Sequence, residues 1–263
     1  MTDQKDISIV IPAYNEAEMI GVTLREIFEF LYRQTRWQTY EVIVVADGCR
    51  DRTVAIVKER CRIFPELRIV SYQPNRGKGF AVKTGINMTS GRMVAFMDAD
   101  LSTPLTELFK LAVPIENRTA DMVIGSRRVP GSNITVRQPW HRRVMGYCLS
   151  FFSHFVIGMA FYDTQCGFKL FDGSVARDLF ARGNCPHFGF DLEILFISIR
   201  RGYRIMEIGV TWHNDTASSV RPIQDSIRVL GLACKLRLSP LPLTKKCESI
   251  DRSAMVYPEK KYA

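Results

Sequence analysis

Residues 93–100, Met-Val-Ala-Phe-Met-Asp-Ala-Asp, join a short apolar run to two carboxylates that are separated by one small residue. The run Met93–Met97 predicts a buried strand, after which residues 101–104 must turn the chain. If the backbone stays extended, Asp98 and Asp100 project to the same side. Two anions repel each other unless a cation joins them, and hard oxygen ligands suit Mg²⁺ or Mn²⁺ together with substrate phosphates. On its own, the triplet is as typical of a turn or a helix cap as it is of a metal site.

Short apolar runs alternate with helical spacing along the first half of the chain. The predicted strands are 7–11, 40–45, 67–72, 93–97 and 121–125. The predicted helices between them are 16–32, 52–61, 79–88 and 106–115. This alternation predicts the α/β class, with a mostly parallel sheet that helices cover.

Polar residues follow three of the predicted strands. They are residues 12–16, Asp47 and residues 98–100. Ligands of parallel sheets gather at the carboxyl ends of the strands, so we expect these three groups to share one rim. That convergence favours a metal site over a simple turn at 98–100.

A long apolar stretch, residues 144–162, lies in the second half of the chain behind Trp-His-Arg-Arg at 140–143. It contains His154 and two glycines, and its 19 residues are near the lower limit for a membrane span. We therefore favour a buried or interfacial helix over 140–162 rather than a spanning one. The basic and aromatic residues suit an anionic membrane surface, and a buried helix with a basic shoulder is the alternative.

The remainder of the second half predicts one helix and one strand. Residues 190–201 have helical spacing and stop at Gly202, a suitable C-cap, and residues 206–212 alternate as a half-buried strand should. No internal repeat or low-complexity linker divides the chain. We therefore predict one domain over 1–235, followed by a polar tail over 236–263.

The charge balance favours an anionic partner. The chain has 36 basic and 27 acidic residues, a net charge of +9, which suits nucleotide phosphates or an anionic membrane surface. It has no signature of a nucleic-acid-binding module, so we expect no nucleic-acid partner. The seven scattered cysteines include no Cys-x-x-Cys pair, and the polar N-terminus lacks the order of a signal peptide. Both features predict a reduced, cytoplasmic setting.

Four segments occur in an order that is typical of a known family. They are Ser-Ile-Val-Ile-Pro-Ala-Tyr-Asn-Glu at 8–16, Ala-Asp-Gly-Cys-Arg-Asp-Arg-Thr at 46–53, Arg-Gly-Lys-Gly at 76–79 and Asp-Ala-Asp at 98–100. Together they resemble the nucleotide-sugar half of family 2 glycosyltransferases, which have the GT-A fold. The resemblance implies that this half spans 7–130.

Three later segments extend the resemblance. They are Gly-Ser-Arg-Arg at 125–128, Asp-Thr-Gln-Cys-Gly-Phe-Lys at 163–169 and Phe-Asp-Leu-Glu at 190–193. These most resemble the polyprenyl-phosphate hexosyltransferases, particularly the dolichyl-phosphate β-glucosyltransferases. An acceptor half over 131–235 is implied.

The resemblance implies a donor site built around a Mg²⁺ or Mn²⁺ ion. Asp98 and Asp100 would hold the ion, with Asp100 as the more direct ligand and Asp98 also near the ribose. The cation would neutralise charge on the leaving diphosphate. Further donor contacts would come from Pro12, Tyr14, Glu16, Asp47 and Lys78. The alternative for these positions is an ordinary strand end, helix start or basic turn.

Two departures from the family pattern leave the donor base open. Ala46 stands where the family commonly has a first of two aspartates, and Cys49 stands where serine is usual. UDP-glucose is our leading donor, and GDP-mannose is the alternative.

The acceptor half offers four candidate catalytic residues. Arg127 could clamp the acceptor or the donor phosphate, and Lys169 could bind an acceptor phosphate, since guanidinium and ammonium groups favour phosphate oxygens. By resemblance, Gln165 and Asp191 would also lie near the acceptor. A hydroxyl acceptor needs a general base, whereas an ionised phosphate can attack unaided, so Asp191 acts either as a base or as a positioning group.

The sequence therefore predicts an inverting transferase that moves glucose from UDP-glucose onto a polyprenyl phosphate such as dolichyl phosphate, at the cytoplasmic membrane face. The alternatives are a mannosyltransferase that uses GDP-mannose, a transferase with a saccharide acceptor and a non-catalytic sugar-nucleotide-binding module. A dinucleotide-dependent dehydrogenase is set aside because no Gly-x-Gly-x-x-Gly turn follows the first strand.

Overall fold

The computed structural model describes residues 4–135, 158, 161–213 and 222–238 of the 263-residue chain. The elements of the first half are β1 Ile7–Ala13, α1 Ile20–Arg33, β2 Tyr40–Asp47, α2 Thr53–Cys61, β3 Leu67–Tyr72, α3 Lys78–Ile86, β4 Met93–Met97, α4 Glu107–Glu116 and β5 Met122–Ser126. Those of the second half are β6 Asn133–Ile134, β7 Phe168–Asp172, α5 Gly173–Arg182, α6 Phe190–Arg201, β8 Ile205–Gly209, β9 Thr211–Trp212 and α7 Pro222–Arg237.

Seven strands form the main sheet in the order β3-β2-β1-β4-β7-β5-β8. Every neighbouring pair is parallel except the two pairs made by β7, which runs antiparallel between β4 and β5. The predicted mostly parallel sheet is therefore confirmed. Strands β6 and β9 pair in a separate two-stranded sheet.

Both faces of the sheet are covered, which explains the near-continuous apolar runs of its central strands. Alternate residues of β1 point to opposite sides: Ile9 and Ile11 belong to the core cluster that contains Leu24 of α1, whereas Val10 belongs to the cluster that contains Leu192 of α6. The period-2 alternation of strand side chains thus divides one strand between two cores.

The first two strands extend further than predicted. β1 continues through Pro12 to Ala13, where its register with β2 pairs Ala13 with Ala46. Pairing of β1 with β4 stops earlier, at Val10. The missing N–H of Pro12 therefore costs no hydrogen bond between β1 and β4. Helix α1 begins later than predicted because the chain first turns through Asn15, whose φ is +57°.

The single strand predicted over 206–212 is wrong. Its first part is β8 in the main sheet, and its last part is β9, which pairs with β6. The switch occurs at Gly209, where an added Cβ would lie 2.4 Å from the backbone nitrogen of Ser132. Strand β7 and helix α5 were not predicted.

Two further predictions lie wholly or largely outside the described residues. The structure does not describe residues 136–157, 159–160 and 239–263. Most of the helix predicted over 140–162 and most of the tail predicted over 236–263 fall within these ranges. Both stay predictions, as do the domain boundaries. Among the described residues, no helix combines the length and the apolar character needed to cross a bilayer.

Candidate active site

The polar residues predicted to share one rim do lie at the carboxyl edge of the sheet. Asp47 is the last residue of β2, and Asp98 directly follows β4. Pro12 lies near the end of β1, and Tyr14 follows that strand with 41% of its surface exposed. The backbone N–H of Glu16 donates to the hydroxyl of Thr53, which ties this rim to the start of α2.

Asp47 holds the loop that leads into α3. Its carboxylate accepts the backbone N–H groups of Arg76 at 2.7 Å and Gly77 at 2.8 Å, and the side-chain amide of Asn75 at 2.9 Å. Asp47 is buried, so these contacts satisfy a carboxylate that would otherwise be costly to bury. This loop-anchoring contact, which places Lys78, was not predicted.

The start of α3 packs closely against the loop between α5 and α6. A Cβ at Gly77, whose φ is +101°, would lie 2.4 Å from Nδ1 of His187. A Cβ at Gly79 would lie 2.3 Å from the carbonyl oxygen of Cys185. Only glycine fits at these two positions, and the close approach brings Lys78 towards α6.

Lys78 and the two carboxylates after β4 form one charged group. Lys78 Nζ lies 2.5 Å from Asp98 Oδ1, and Asp100 accepts the backbone N–H of Ser102 at 2.9 Å. Burial alone would lower the pKa of Lys78, but the charges of Asp98 and Asp191 outweigh it and raise that pKa. Desolvation by surrounding protein, followed by the charge of Asp98, raises the pKa of Asp100.

Lys169 and Asp191 form a second, sealed pair. Lys169 Nζ lies 2.5 Å from Asp191 Oδ1 and donates to the carbonyl oxygen of Cys166 at 2.5 Å. Lys169 is opposite Phe96 in the β4–β7 register, and its side chain therefore enters the core between the sheet and α6. Asp191 is in the first turn of α6, where the helix dipole favours an anion. Burial outweighs the nearby lysines and raises the pKa of Asp191.

Arg127 makes a bidentate contact with Asp163, a residue to which the sequence analysis assigned no role. Its Nε and Nη2 lie 2.7 Å and 2.8 Å from the carboxylate oxygens of Asp163, and its backbone N–H donates to the same carboxylate. Burial raises the pKa of Asp163, but Arg127 outweighs that effect and lowers it to about 2. Glu207 in turn accepts the backbone N–H groups of Tyr162 and Asp163.

Two polar groups near this contact have no hydrogen-bond partner among the described residues. They are the hydroxyl of Thr164 and the amide nitrogen of Gln165, and both atoms are buried. An unpaired buried donor costs about 1–3 kcal/mol, so such groups are typical of positions that a ligand or water satisfies. Gln165 was predicted to be near the acceptor, whereas Thr164 was not singled out.

The structure brings most predicted site residues into one electrostatic cluster. Asp98 influences the pKa values of Lys78, Asp100, Arg127 and Asp191. A shallow pocket beside them is lined by Met97, Asp98, Asp100, Leu101, Ser102, Thr103, Gly167, Phe168 and Trp212. Tyr14 and Glu16 follow β1 on the same rim, ahead of α1, and the Glu16 N–H contacts the first residue of α2. Asp163 and Glu207 were missed because their contacts join segments that are distant in the chain.

The donor set at the rim fits a hard divalent cation. The described part of the chain contains no group of three or more His, Cys, Asp and Glu side chains suited to metal binding. It does contain the two neighbouring carboxylates of Asp98 and Asp100, and burial, followed by repulsion from Asp98, raises the pKa of Asp100. A cation there would relieve that repulsion, with its remaining ligands taken from phosphate oxygens and water, as Mg²⁺ sites commonly do.

Comparisons with known proteins identify a family that the chain matches. The sequence model for glycosyl transferase family 2 matches residues 8–180, which include the β1, β2 and β4 strand ends and the start of β7. The dolichyl-phosphate β-glucosyltransferase of Dictyostelium discoideum is 30% identical over 240 residues, which cover 88% of this chain and 73% of the relative. The enzyme of that name from Saccharomyces cerevisiae is 32% identical over 244 residues, covering 85% and 71%.

Solved structures support the fold. Glucosyl-3-phosphoglycerate synthase from Mycobacterium tuberculosis, in complex with Mn²⁺, UDP-glucose and phosphoglyceric acid, matches with a TM-score of 0.65 and 20% identity. The match covers 89% of this chain and 80% of that one. At this identity the likeness shows the fold alone, and it confirms the predicted GT-A fold.

Proposed function

The chain belongs to glycosyl transferase family 2, and from this premise we propose that it moves glucose from UDP-glucose onto a polyprenyl phosphate such as dolichyl phosphate. Family membership makes glycosyl transfer the reaction class. The sugar and the acceptor are suggested by relatives named dolichyl-phosphate β-glucosyltransferase, at about 30% identity over most of the chain. UDP-glucose as donor gains support from the synthase of the same fold that was solved with it.

One observation carries the proposal: the donor carboxylates and the acceptor candidates share a single charged cluster. Asp98 lies 2.5 Å from Lys78, and the same two residues act electrostatically on Asp191. Arg127, the predicted acceptor clamp, also feels the charge of Asp98. A transferase needs its two substrates side by side, because holding them in a reactive orientation contributes much of the rate.

The charge balance of the cluster supports a divalent cation. Four carboxylates, those of Asp98, Asp100, Asp163 and Asp191, face three basic side chains, those of Lys78, Lys169 and Arg127. A sugar nucleotide and an acceptor phosphate both bring further negative charge. Mg²⁺ or Mn²⁺ at Asp98 and Asp100 would offset it and stabilise the charge that develops on the diphosphate as it leaves.

Under this proposal each candidate site residue has a defined role. Pro12, Tyr14 and Glu16 line the nucleoside side, and Asp47 sets the loop that presents Lys78 to the diphosphate. Arg127 and Gln165 face the acceptor phosphate, which is already ionised and needs no general base. Asp191 is engaged by Lys169, so it positions this wall of the site.

The bond changes are those of a single displacement. An oxygen of the acceptor phosphate forms a bond to the anomeric carbon of glucose, while the bond from that carbon to the diphosphate oxygen breaks. The electron pair leaves with UDP, and attack from the opposite face inverts the configuration at the anomeric carbon.

We also propose that the protein binds peripherally to the cytoplasmic face of a membrane, where a polyprenyl phosphate is found. The net charge of +9 supports attraction to an anionic surface. Sedimentation with vesicles of anionic or neutral lipid tests this part separately: salt-sensitive binding to the anionic vesicles supports it, and equal binding to both contradicts it.

The deciding experiment combines the purified protein with Mg²⁺ or Mn²⁺, a short polyprenyl phosphate, and UDP-glucose or GDP-mannose in parallel. A glucolipid formed from UDP-glucose supports the proposal. A mannolipid formed only from GDP-mannose overturns the donor assignment. GDP-mannose is the specific alternative because Ala46 and Cys49 depart from the family pattern and leave the donor base open. Transfer only to a soluble saccharide overturns the acceptor assignment. Adding a chelator to the assay tests whether transfer depends on the metal. The variant Asp100→Asn tests the proposed metal ligand, and Glu59→Gln, which changes an exposed side chain on α2, is its matched control.

A further inference from the structure

Gly167 lies directly against the carboxylate of Asp98. A Cβ placed on Gly167 would be 2.0 Å from Asp98 Oδ2, 2.5 Å from Cγ and 2.8 Å from Oδ1. These separations are far inside van der Waals contact, for which about 3.5–4.0 Å is usual. A side chain at position 167 and the present Asp98 carboxylate therefore cannot coexist.

The approach is a product of the sheet register. Met97, the last residue of β4, pairs with Phe168, the first residue of β7, so Gly167 and Asp98 are the next residues beyond the final pair. Contacts on both sides of Gly167 in the chain fix its backbone. Asp163, four residues earlier, pairs with Arg127, and Lys169, two residues later, enters the core and pairs with Asp191. The backbone is thus fixed, and the Asp98 side chain is the partner that would have to move.

Movement of Asp98 would break its ion pair. One face of the carboxylate contacts Gly167, while Oδ1 lies 2.5 Å from Lys78 Nζ. Rotating the carboxylate away from a new methyl group would withdraw it from Lys78 and change its position relative to Asp100. We propose that Gly167 is a positioning residue for donor binding, which fixes the Asp98 carboxylate by having no side chain. The inference rests on the proposed function, because the ligands concerned are a divalent cation and a nucleoside diphosphate.

Gly167 differs from the glycines that the fold itself needs. Its three nearest neighbours all belong to the Asp98 carboxylate, and its φ lies outside the left-handed region. At Gly173, by contrast, a Cβ would lie 2.1 Å from the backbone oxygen of Gly91, which cannot yield. A methyl group at 167 should consequently disturb ligand binding far more than folding.

The first experiment measures Mn²⁺-dependent binding of UDP by calorimetry to Gly167→Ala and to a matched control, Gly231→Ala. Among the described residues, no atom outside its own stretch of helix lies within 4 Å of a Cβ at Gly231, and its φ is also unexceptional. We expect Gly167→Ala to weaken binding by about 10–100-fold, the range seen when groups that orient metal ligands are changed. We expect the control to bind as the parent does. Equal affinities of the two variants would overturn the inference.

The second experiment asks whether the effect passes through Asp98. Gly167→Ala should lower the thermal midpoint by about 2–4 °C in the parent and by less than about 1 °C in the Asp98→Ala background, where the clashing group is absent. Equal shifts in both backgrounds would show that the methyl group acts elsewhere, which contradicts the inference. This thermal cycle reads the Gly167–Asp98 contact even if UDP does not bind, so failure of the proposed function is recognised separately.

Discussion

Two lysine–aspartate pairs, Lys78–Asp98 and Lys169–Asp191, have the same Nζ–Oδ1 distance of 2.5 Å in very different surroundings. The side chains of the first pair are 19% and 38% exposed, whereas those of the second are 1% and 4% exposed. An exposed pair can exchange partners with an incoming ligand at little cost. A sealed pair cannot, because each member is a buried charge that depends on the other. Equal contacts therefore differ in what they permit: under the proposed function, the first pair receives substrate and the second holds the wall beside it.

The sealed pair provides the largest expected effect. Asp191→Ala would leave the Lys169 ammonium buried without its counter-charge, so the free energy of unfolding should fall by about 3–5 kcal/mol in urea titrations. Replacing both partners, as Lys169→Met with Asp191→Leu, should recover most of that loss. A decrease below about 1 kcal/mol for the single change would contradict the sealed character of the pair.

The open side of the comparison is tested next through its metal candidate. Asp100→Asn keeps the size of the side chain but removes a charge from the cluster, and we expect kcat/KM for glucosyl transfer to fall by about 10²–10³-fold. Thermal stability should be unchanged, because the amide oxygen can still accept the Ser102 N–H. Full activity in Asp100→Asn, alongside the Glu59→Gln control, would remove this residue from the mechanism.

A third pair, Arg127–Asp163, has an intermediate exposure and predicts a pH effect. The folded pKa of Asp163 is about 2, below the ordinary value of 3.8, so the pair stabilises the fold above the unfolded pKa. That contribution, about 2 kcal/mol for a shift of this size, should be lost as the pH falls from about 4 to 2. Asp163→Asn should flatten the acid limb of the stability profile in this window. An unchanged profile would show that the pair does not govern it.

The smallest stability effect is expected where the exposed pair is broken. Lys78→Met should change the free energy of unfolding by about 1 kcal/mol or less, because solvent already screens Asp98. The same change should raise KM for the sugar nucleotide about tenfold or more, since a charged hydrogen-bond donor to the diphosphate is lost. If Lys78→Met destabilised the fold as much as Asp191→Ala, the contrast between the two pairs would fail.

Local pattern was sufficient to predict the strands β1, β2 and β4 and the rim at their carboxyl ends. The runs that became β1, β2 and β4 are apolar and directly followed by polar residues, so their strand ends and the rim follow from short stretches of sequence. The contacts of the acceptor candidates, and strand β7 itself, were not predicted for a physical reason. Lys169 interrupts the apolar run of β7 and disguises a buried strand, and its compensation by Asp191 comes from 22 residues further along the chain.

The same reason explains the other residues that were missed. Asp163 and Glu207 act through contacts with Arg127 and with backbone groups about 36 and 44 residues away. No spacing rule within a helix or strand predicts such pairings, because they depend on the order in which strands enter the sheet. The division of 206–212 between two sheets depends likewise on the backbone of Ser132.

The direction of β7 has an evolutionary consequence. The parallel strands deliver the residues that follow them to the rim, whereas β7, running the other way, delivers the residues that precede it. Under the proposed function, residues that precede β7 can therefore change around the acceptor without shifting the strand ends that hold the donor. Such an arrangement would let a lineage keep its sugar donor while its acceptor diversifies.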